Sequence, residues 1–177
     1  MESVPVTTAS LTIRDDSEVI IRPVRDSDTE ALGRVHAQCW HETYDHLISA
    51  AAFENLSPRR MAELWSGWIA QGDDRKLFAA VNDTGIIGFA GSGPARNADA
   101  PRERELYFIY LAAVYQGTGT GQALLDAALG DDPAYLWVAS DNPRAHAFYR
   151  RNGFTLDGAE HTELFLGEDL HEVRFVR

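Results

Sequence analysis

The chain has little sulfur: Cys39 is its single cysteine. One thiol makes neither an internal disulfide nor a CxxC metal site, so a reducing, cytoplasmic setting is the expectation. Positive charge is scarce as well, since 16 Lys and Arg stand against 27 Asp and Glu, a formal net charge of −11. No basic stripe suited to a nucleic acid is present, and the one local cluster, Arg96 to Arg104, is interleaved with acids. Long apolar runs are missing, which argues against a membrane span. The opening MESVPVTTAS has no basic stretch followed by an apolar one, so it does not read as a secretion signal. His36, His41 and His46 fall at no metal-ligand spacing, and no metal is expected. There is no internal repeat.

What is present suits one soluble domain. The 177 residues are 45% apolar and 24% charged, enough to bury a core without a disulfide or metal staple. Residues 1–18 read as an N-terminal tail and 19–177 as the domain. The acidic surface has two readings, solubility alone or attraction of cationic partners such as amines.

Periodicity gives the order of elements. Val19 to Val24 is an apolar run closed by proline at 23, a buried strand. Asp26-Ser27-Asp28 supplies N-cap chemistry for a helix with Ala31, Leu32, Val35, His36 and Cys39 on one face. Ser57-Pro58 starts a second helix, whose Met61, Leu64, Trp65 and Trp68 read as core. Lys76 to Val81 and Ile86 to Ala90 flank Asn82-Asp83-Thr84-Gly85, a hairpin signal. Arg104 to Val114 reads as a central strand leading into a glycine-rich turn and a helix through Ala128. A strand from Ala134 to Ala139, a helix from Asn142 to Asn152 closed by Gly153, and two final strands complete the chain. The order β-α-α-β-β-β-α-β-α-β-β predicts a single-domain mixed α/β sheet rather than a doubly wound one.

Gln116-Gly117-Thr118-Gly119-Thr120-Gly121 connects a strand to a helix. Three alternating glycines allow positive φ and close approach of a ligand, and free N–H groups at a helix start attract anions. A bare tight connection is the alternative reading. The turn has no lysine for a P-loop, and GxGxG is not the GxGxxG of a dinucleotide fold.

This turn resembles the Gln/Arg-x-x-Gly-x-Gly/Ala signature of GNAT (GCN5-related) N-acetyltransferases. Leu106 to Leu111 before it is similar to their fourth strand. Leu136 to Asn142 and Ala147 to Phe154 resemble their fifth strand and the helix after it. The resemblance covers roughly 19–176 and is most specific over 103–154. It implies a mixed sheet whose fourth and fifth strands splay apart, with acetyl-CoA as co-substrate between them. By position, Ile109, Tyr110 and Leu111 would pair with pantetheine through their backbone. Gln116, Gly117, Thr118, Gly119, Thr120, Gly121 and Gln122 would hold the pyrophosphate. Asn142 matches a cofactor-contacting asparagine and equally suits an N-cap.

The resemblance also implies the chemistry. Tyr149 matches the family's general acid, with core packing beside Phe148 as the other reading. Some members carry a basic glutamate on the fifth strand; here Trp137 stands in that run and cannot accept a proton. Glu105 on the fourth strand is the replacement candidate, or else an exposed strand-end charge. His146 is a further candidate. Trp40-His41-Glu42-Thr43-Tyr44 resembles a stretch bordering the acceptor pocket, so Trp40 and Tyr44 are candidates there, with ordinary packing as the alternative. Thr118 and Ala113 depart from the basic residue and proline common at those places. The implied partner is an amine on a small molecule or peptide, and a homodimer is a further implication. A non-catalytic acyl-CoA sensor is the competing function.

Overall fold

The computed structural model describes residues 10–12, 18–54, 56–72 and 74–177. The strands are β1 (Ser10–Thr12), β2 (Glu18–Pro23), β3 (Lys76–Asn82), β4 (Gly85–Pro94), β5 (Arg104–Leu111), β6 (Tyr135–Ala139), β7 (Thr155–Phe165) and β8 (Glu168–Val176). The helices are α1 (Thr29–Tyr44), α2 (Ala50–Phe53), α3 (Pro58–Ile69), α4 (Thr120–Ala128) and α5 (Pro143–Arg151). All eight strands join one sheet in the order β1-β2-β3-β4-β5-β6-β8-β7. The expected mixed α/β sheet is present, with two additions: the four-residue α2, and β1, which lies where a tail was expected and pairs antiparallel with β2. Residues 1–9 and 13–17 of that stretch lie outside the described residues.

Local chemistry explains the main boundaries. Asn82 Oδ1 accepts from the Thr84 N–H at 2.9 Å, closing the two-residue turn of the β3–β4 hairpin. The Ser57 hydroxyl caps α3 at the Arg60 N–H, with Pro58 in the first turn. Met61 and Trp65 are buried as expected; Leu64, read as core, is 40% exposed because α3 turns that position off its packed face.

Two features of the sheet create the site. Gly91 pairs with Phe108 but Ser92 pairs with Leu106, so Tyr107 is an extra residue in β5. That bulge reverses the alternation: Leu106 and Ile109 join the core under α4, whereas Phe108 and Tyr110 pack with α1 and α3 residues. Secondly, β5 and β6, the one parallel pair among the described residues, share a single register contact, Glu105 with Tyr135. Beyond it the strands diverge and the β5 edge is open.

His36 of α1 is 1% exposed, ringed by Trp40, Trp65, Trp68, Phe89, Phe108 and Tyr110. Burial pulls its pKa from 6.5 to about 3. The unfolded chain therefore takes up this proton below about pH 6.5 and the folded chain only near 3. The stability tied to the neutral ring is complete above that upper value and is lost as pH falls through the window, by up to about 1.4 kcal/mol per unit. Urea melts at about pH 7 and about pH 5 should show a loss in the wild type that His36→Phe reduces; equal losses would mean the ring titrates normally.

Candidate active site

Where the β5–β6 ladder stops, a cleft of about 730 Å³ opens. Residues 107–111 of β5 form one wall, Trp137 and Val138 of β6 the other, and the N-terminal turn of α5 with the glycine-rich turn closes one end. Ile109, Tyr110 and Leu111 thus stand on the cleft side of an unpaired strand edge. A wedge of this kind accepts an extended amide chain as a further strand would.

The glycine-rich turn is built by short hydrogen bonds. Gln116 Nε2 donates to the Leu111 carbonyl at 2.9 Å, fastening the turn to the end of β5. Thr118 Oγ1 donates to the Tyr115 carbonyl at 2.6 Å and lies 3.0 Å from the Thr120 hydroxyl. Gly117 and Gly119 hold φ of 83° and 94°, which an L side chain adopts only with strain. Gly119 is the N-cap of α4 and provides no side-chain acceptor, so first-turn N–H groups are left for a ligand. Gln116, Gly117, Gly119, Gly121 and Gln122 line the cleft. Thr118 and Thr120 do not; Thr120 is fully buried, and both hydroxyls shape the turn.

Asn142 Oδ1 accepts from the Ala145 N–H at 3.0 Å, capping α5, and the same residue lines the cleft. Tyr149, on the same helix, is 7% exposed, with its ring against Phe148, Phe154 and Phe175. Its hydroxyl makes no hydrogen bond to another described residue and, not being fully buried, opens on the cleft that Tyr149 lines. Burial raises its pKa, and the nearby Tyr44 and Glu172 raise it further, so the phenol keeps its proton at neutral pH. His146, the further candidate, packs on Phe175 as Tyr149 does, with Nε2 3.0 Å from the Ala139 carbonyl, and it does not line the cleft.

The structure does not bring Glu105 to the cleft. Its side chain is buried at the closed end of the β5–β6 pair. There it accepts from the Arg96 backbone N–H at 3.0 Å, from the Arg96 guanidinium, and from the Tyr135 hydroxyl at 2.8 Å. It is not the exposed strand-end charge of the alternative reading either. Glu105→Ala would strand the Tyr135 hydroxyl in the core, at about 1–3 kcal/mol. A denaturant melt should record that loss.

The two acceptor-pocket candidates separate. Tyr44 lines the cleft, its hydroxyl 2.7 Å from that of Tyr110. Trp40 packs on Phe165 and faces a second cavity of about 370 Å³ between α2, α3 and the β7–β8 turn. Several cleft residues escaped the sequence reading: Arg144 and Arg151 on α5, Glu42 on α1, and Glu172 on β8. Arginines on a helix beside the glycine turn were legible as candidate phosphate partners. Glu172 was not, because only the β6–β8 pairing brings β8 to the cleft.

Comparisons with known proteins agree with this geometry. Residues 40–154 match the family model described as the acetyltransferase (GNAT) family. The chain is 29% identical over 132 residues to YuaI of Bacillus subtilis, named an uncharacterized N-acetyltransferase, spanning 71% of this chain and 74% of that one. In fold it is similar to the PaiA N-acetyltransferase of Thermoplasma acidophilum, solved in complex with coenzyme A. That similarity has a TM-score of 0.66 and 23% identity over 88% of this chain and 97% of that one. It is also similar to Arabidopsis thaliana NAA60, solved with a bisubstrate analogue, with a TM-score of 0.60 and 19% identity over 89% and 97% of the two chains.

Proposed function

The chain belongs to the acetyltransferase (GNAT) family, and on that premise we propose that it transfers the acetyl group of acetyl-CoA to a primary amine of a small molecule or peptide. The observation that carries this reading is the meeting, in one cleft, of an open β5 edge, an uncapped glycine turn and a buried, protonated tyrosine.

The residues fit acetyl-CoA, which is a substrate of the reaction. The β5 edge from Ile109 to Leu111 offers backbone groups to the pantetheine amides. The turn at residues 117–122 offers N–H groups to the pyrophosphate, with Arg144 and Arg151 as counter-charges. Asn142 keeps the α5 cap and meets the cofactor at the same end. The two threonine hydroxyls of the turn act through its shape.

In direct attack, the amine nitrogen forms the new C–N bond at the thioester carbon and the C–S bond breaks. The leaving thiolate takes a proton from Tyr149, whose phenol is held protonated for that step. A non-catalytic acyl-CoA sensor would have no use for an unpartnered phenol at this place.

The test is thiol release from acetyl-CoA across primary amines, alongside calorimetric binding of acetyl-CoA. Amine-dependent release is expected. Binding with no release on any amine would favour the sensor, and no binding would remove both readings.

A further inference from the structure

The mechanism above lacks a proton acceptor; of the carboxylates lining the cleft, Glu42 is exposed and held by the Ala113 N–H and Asp141 is exposed, which leaves the half-buried Glu172. We propose that Glu172 receives the acceptor's ammonium group and takes its proton, so that the acceptor is a cationic primary amine entering on the Tyr44 and Trp137 side of the sheet. This rests on the acetyl-transfer reading.

Register places the side chain. Glu172 of β8 pairs with Ala139, and Arg174 with Trp137, so all four project from one face of the sheet. Leu170, two residues earlier on that face, packs in the cluster that contains Tyr44 and Ala139, with Tyr110 against it. Glu172 therefore lies across the cleft from α5, which brings Tyr149 in from the opposite side of the sheet. Its carboxylate is 16% exposed and lies 3.0 Å from His161 Nε2 on β7. The His161 ring rests on Trp137 with centroids 3.9 Å apart and is 32% exposed, so it links the buried carboxylate to solvent.

The chemistry requires such a group. An alkyl amine with a pKa near 10.4 is almost wholly protonated at neutral pH and has no lone pair to attack with. A half-buried carboxylate on the cleft wall attracts the cation by charge. Of the three ammonium hydrogens, one stays on the amide nitrogen. One passes through Glu172 and His161 to water. The third is taken up by Glu172 as the amine adds, and it replaces the proton that Tyr149 gives to the sulfur. One proton is released per turnover, and the charges balance.

The groups facing Glu172 are His161 and Glu163 of β7, Arg174 of β8, which is itself paired with Asp157, Arg96 of the β4–β5 loop, Tyr44 of α1, Tyr110 of β5 and Tyr149 of α5. Burial raises the Glu172 pKa from the usual carboxylate value, and the neighbouring His161 opposes that rise. A carboxylate weakened as an acid in this way is a better proton acceptor.

The test uses the full chain with n-butylamine, spermidine and tryptamine as acceptors. Glu172→Gln keeps the shape and removes the charge. It should lower kcat/KM by about 100-fold or more near pH 7, leave acetyl-CoA affinity unchanged, and recover toward wild type near pH 10, where about a quarter of the amine is already neutral. A merely structural role would not give that recovery. Glu172→Asp serves if the glutamine variant does not fold; it should give an intermediate rate with the wild-type pH profile. A wild-type rate for Glu172→Gln, or a deficit constant with pH, would overturn the proposal. Wild-type protein that binds acetyl-CoA but acetylates none of the three amines would overturn the cationic-acceptor assignment alone. Failure to bind acetyl-CoA would overturn the function on which it rests.

Discussion

Replacing Tyr149 with phenylalanine should lower kcat for acetyl transfer by about 10²–10⁴-fold, the range for loss of a positioned general acid. The substitution is unusually clean in this fold. The ring remains among Phe148, Phe154 and Phe175, and no protein hydrogen bond to the hydroxyl is lost among the described residues. Thermal stability should therefore stay near the wild-type value, because the hydroxyl opens on the cleft and no protein hydrogen bond is lost with it. Acetyl-CoA affinity should stay the same, since the phenol acts on the leaving sulfur and not on the phosphates. Steady-state thiol release, calorimetry and a thermal melt together check the three parts. A variant with full kcat would leave Tyr149 as a packing residue.

Gly117→Glu should weaken acetyl-CoA binding by at least about 100-fold, roughly 2.7 kcal/mol. A Cβ built at Gly117 meets nothing within 4 Å, so the new side chain projects into open space at the cleft. The carboxylate would stand among the N–H groups assigned to the pyrophosphate and repel it. The φ of 83° adds about 1–2 kcal/mol of strain for a residue with a Cβ. Because the turn is on the surface and its threonine hydrogen bonds are untouched, the rest of the fold should persist. Calorimetry on folded variant would check this, and unchanged affinity would mean that the pyrophosphate lies elsewhere.

Local signals made much of this fold legible. The Ser57-Pro58 start, the Asn82–Gly85 turn and the Asn142 cap each depend on residues within a few positions of one another, and each forms as expected. The glycine-rich turn was legible for the same reason. What failed was set by distance along the chain. Glu105 looked available because its partners, Arg96 and Tyr135, come from a loop and a different strand. Trp40 and Tyr44 sit one helical turn apart and were read together; both pack on Phe165 of the distant β7, with Trp40 lining the second cavity and Tyr44 the cleft. Glu172 was invisible because β8 inserts between β6 and β7, a strand order that periodicity does not encode. The bulge at Tyr107 likewise arises from pairing with β4 and decides which β5 side chains pack with α1 and α3.

The most direct test of the central claim is a crystal structure of the protein with coenzyme A. The expected result is pantetheine along residues 109–111 of β5, pyrophosphate on the 117–122 turn, and the CoA sulfur within about 3.5 Å of the Tyr149 hydroxyl. Coenzyme A bound with its sulfur remote from Tyr149, or outside the β5–β6 cleft, would contradict it.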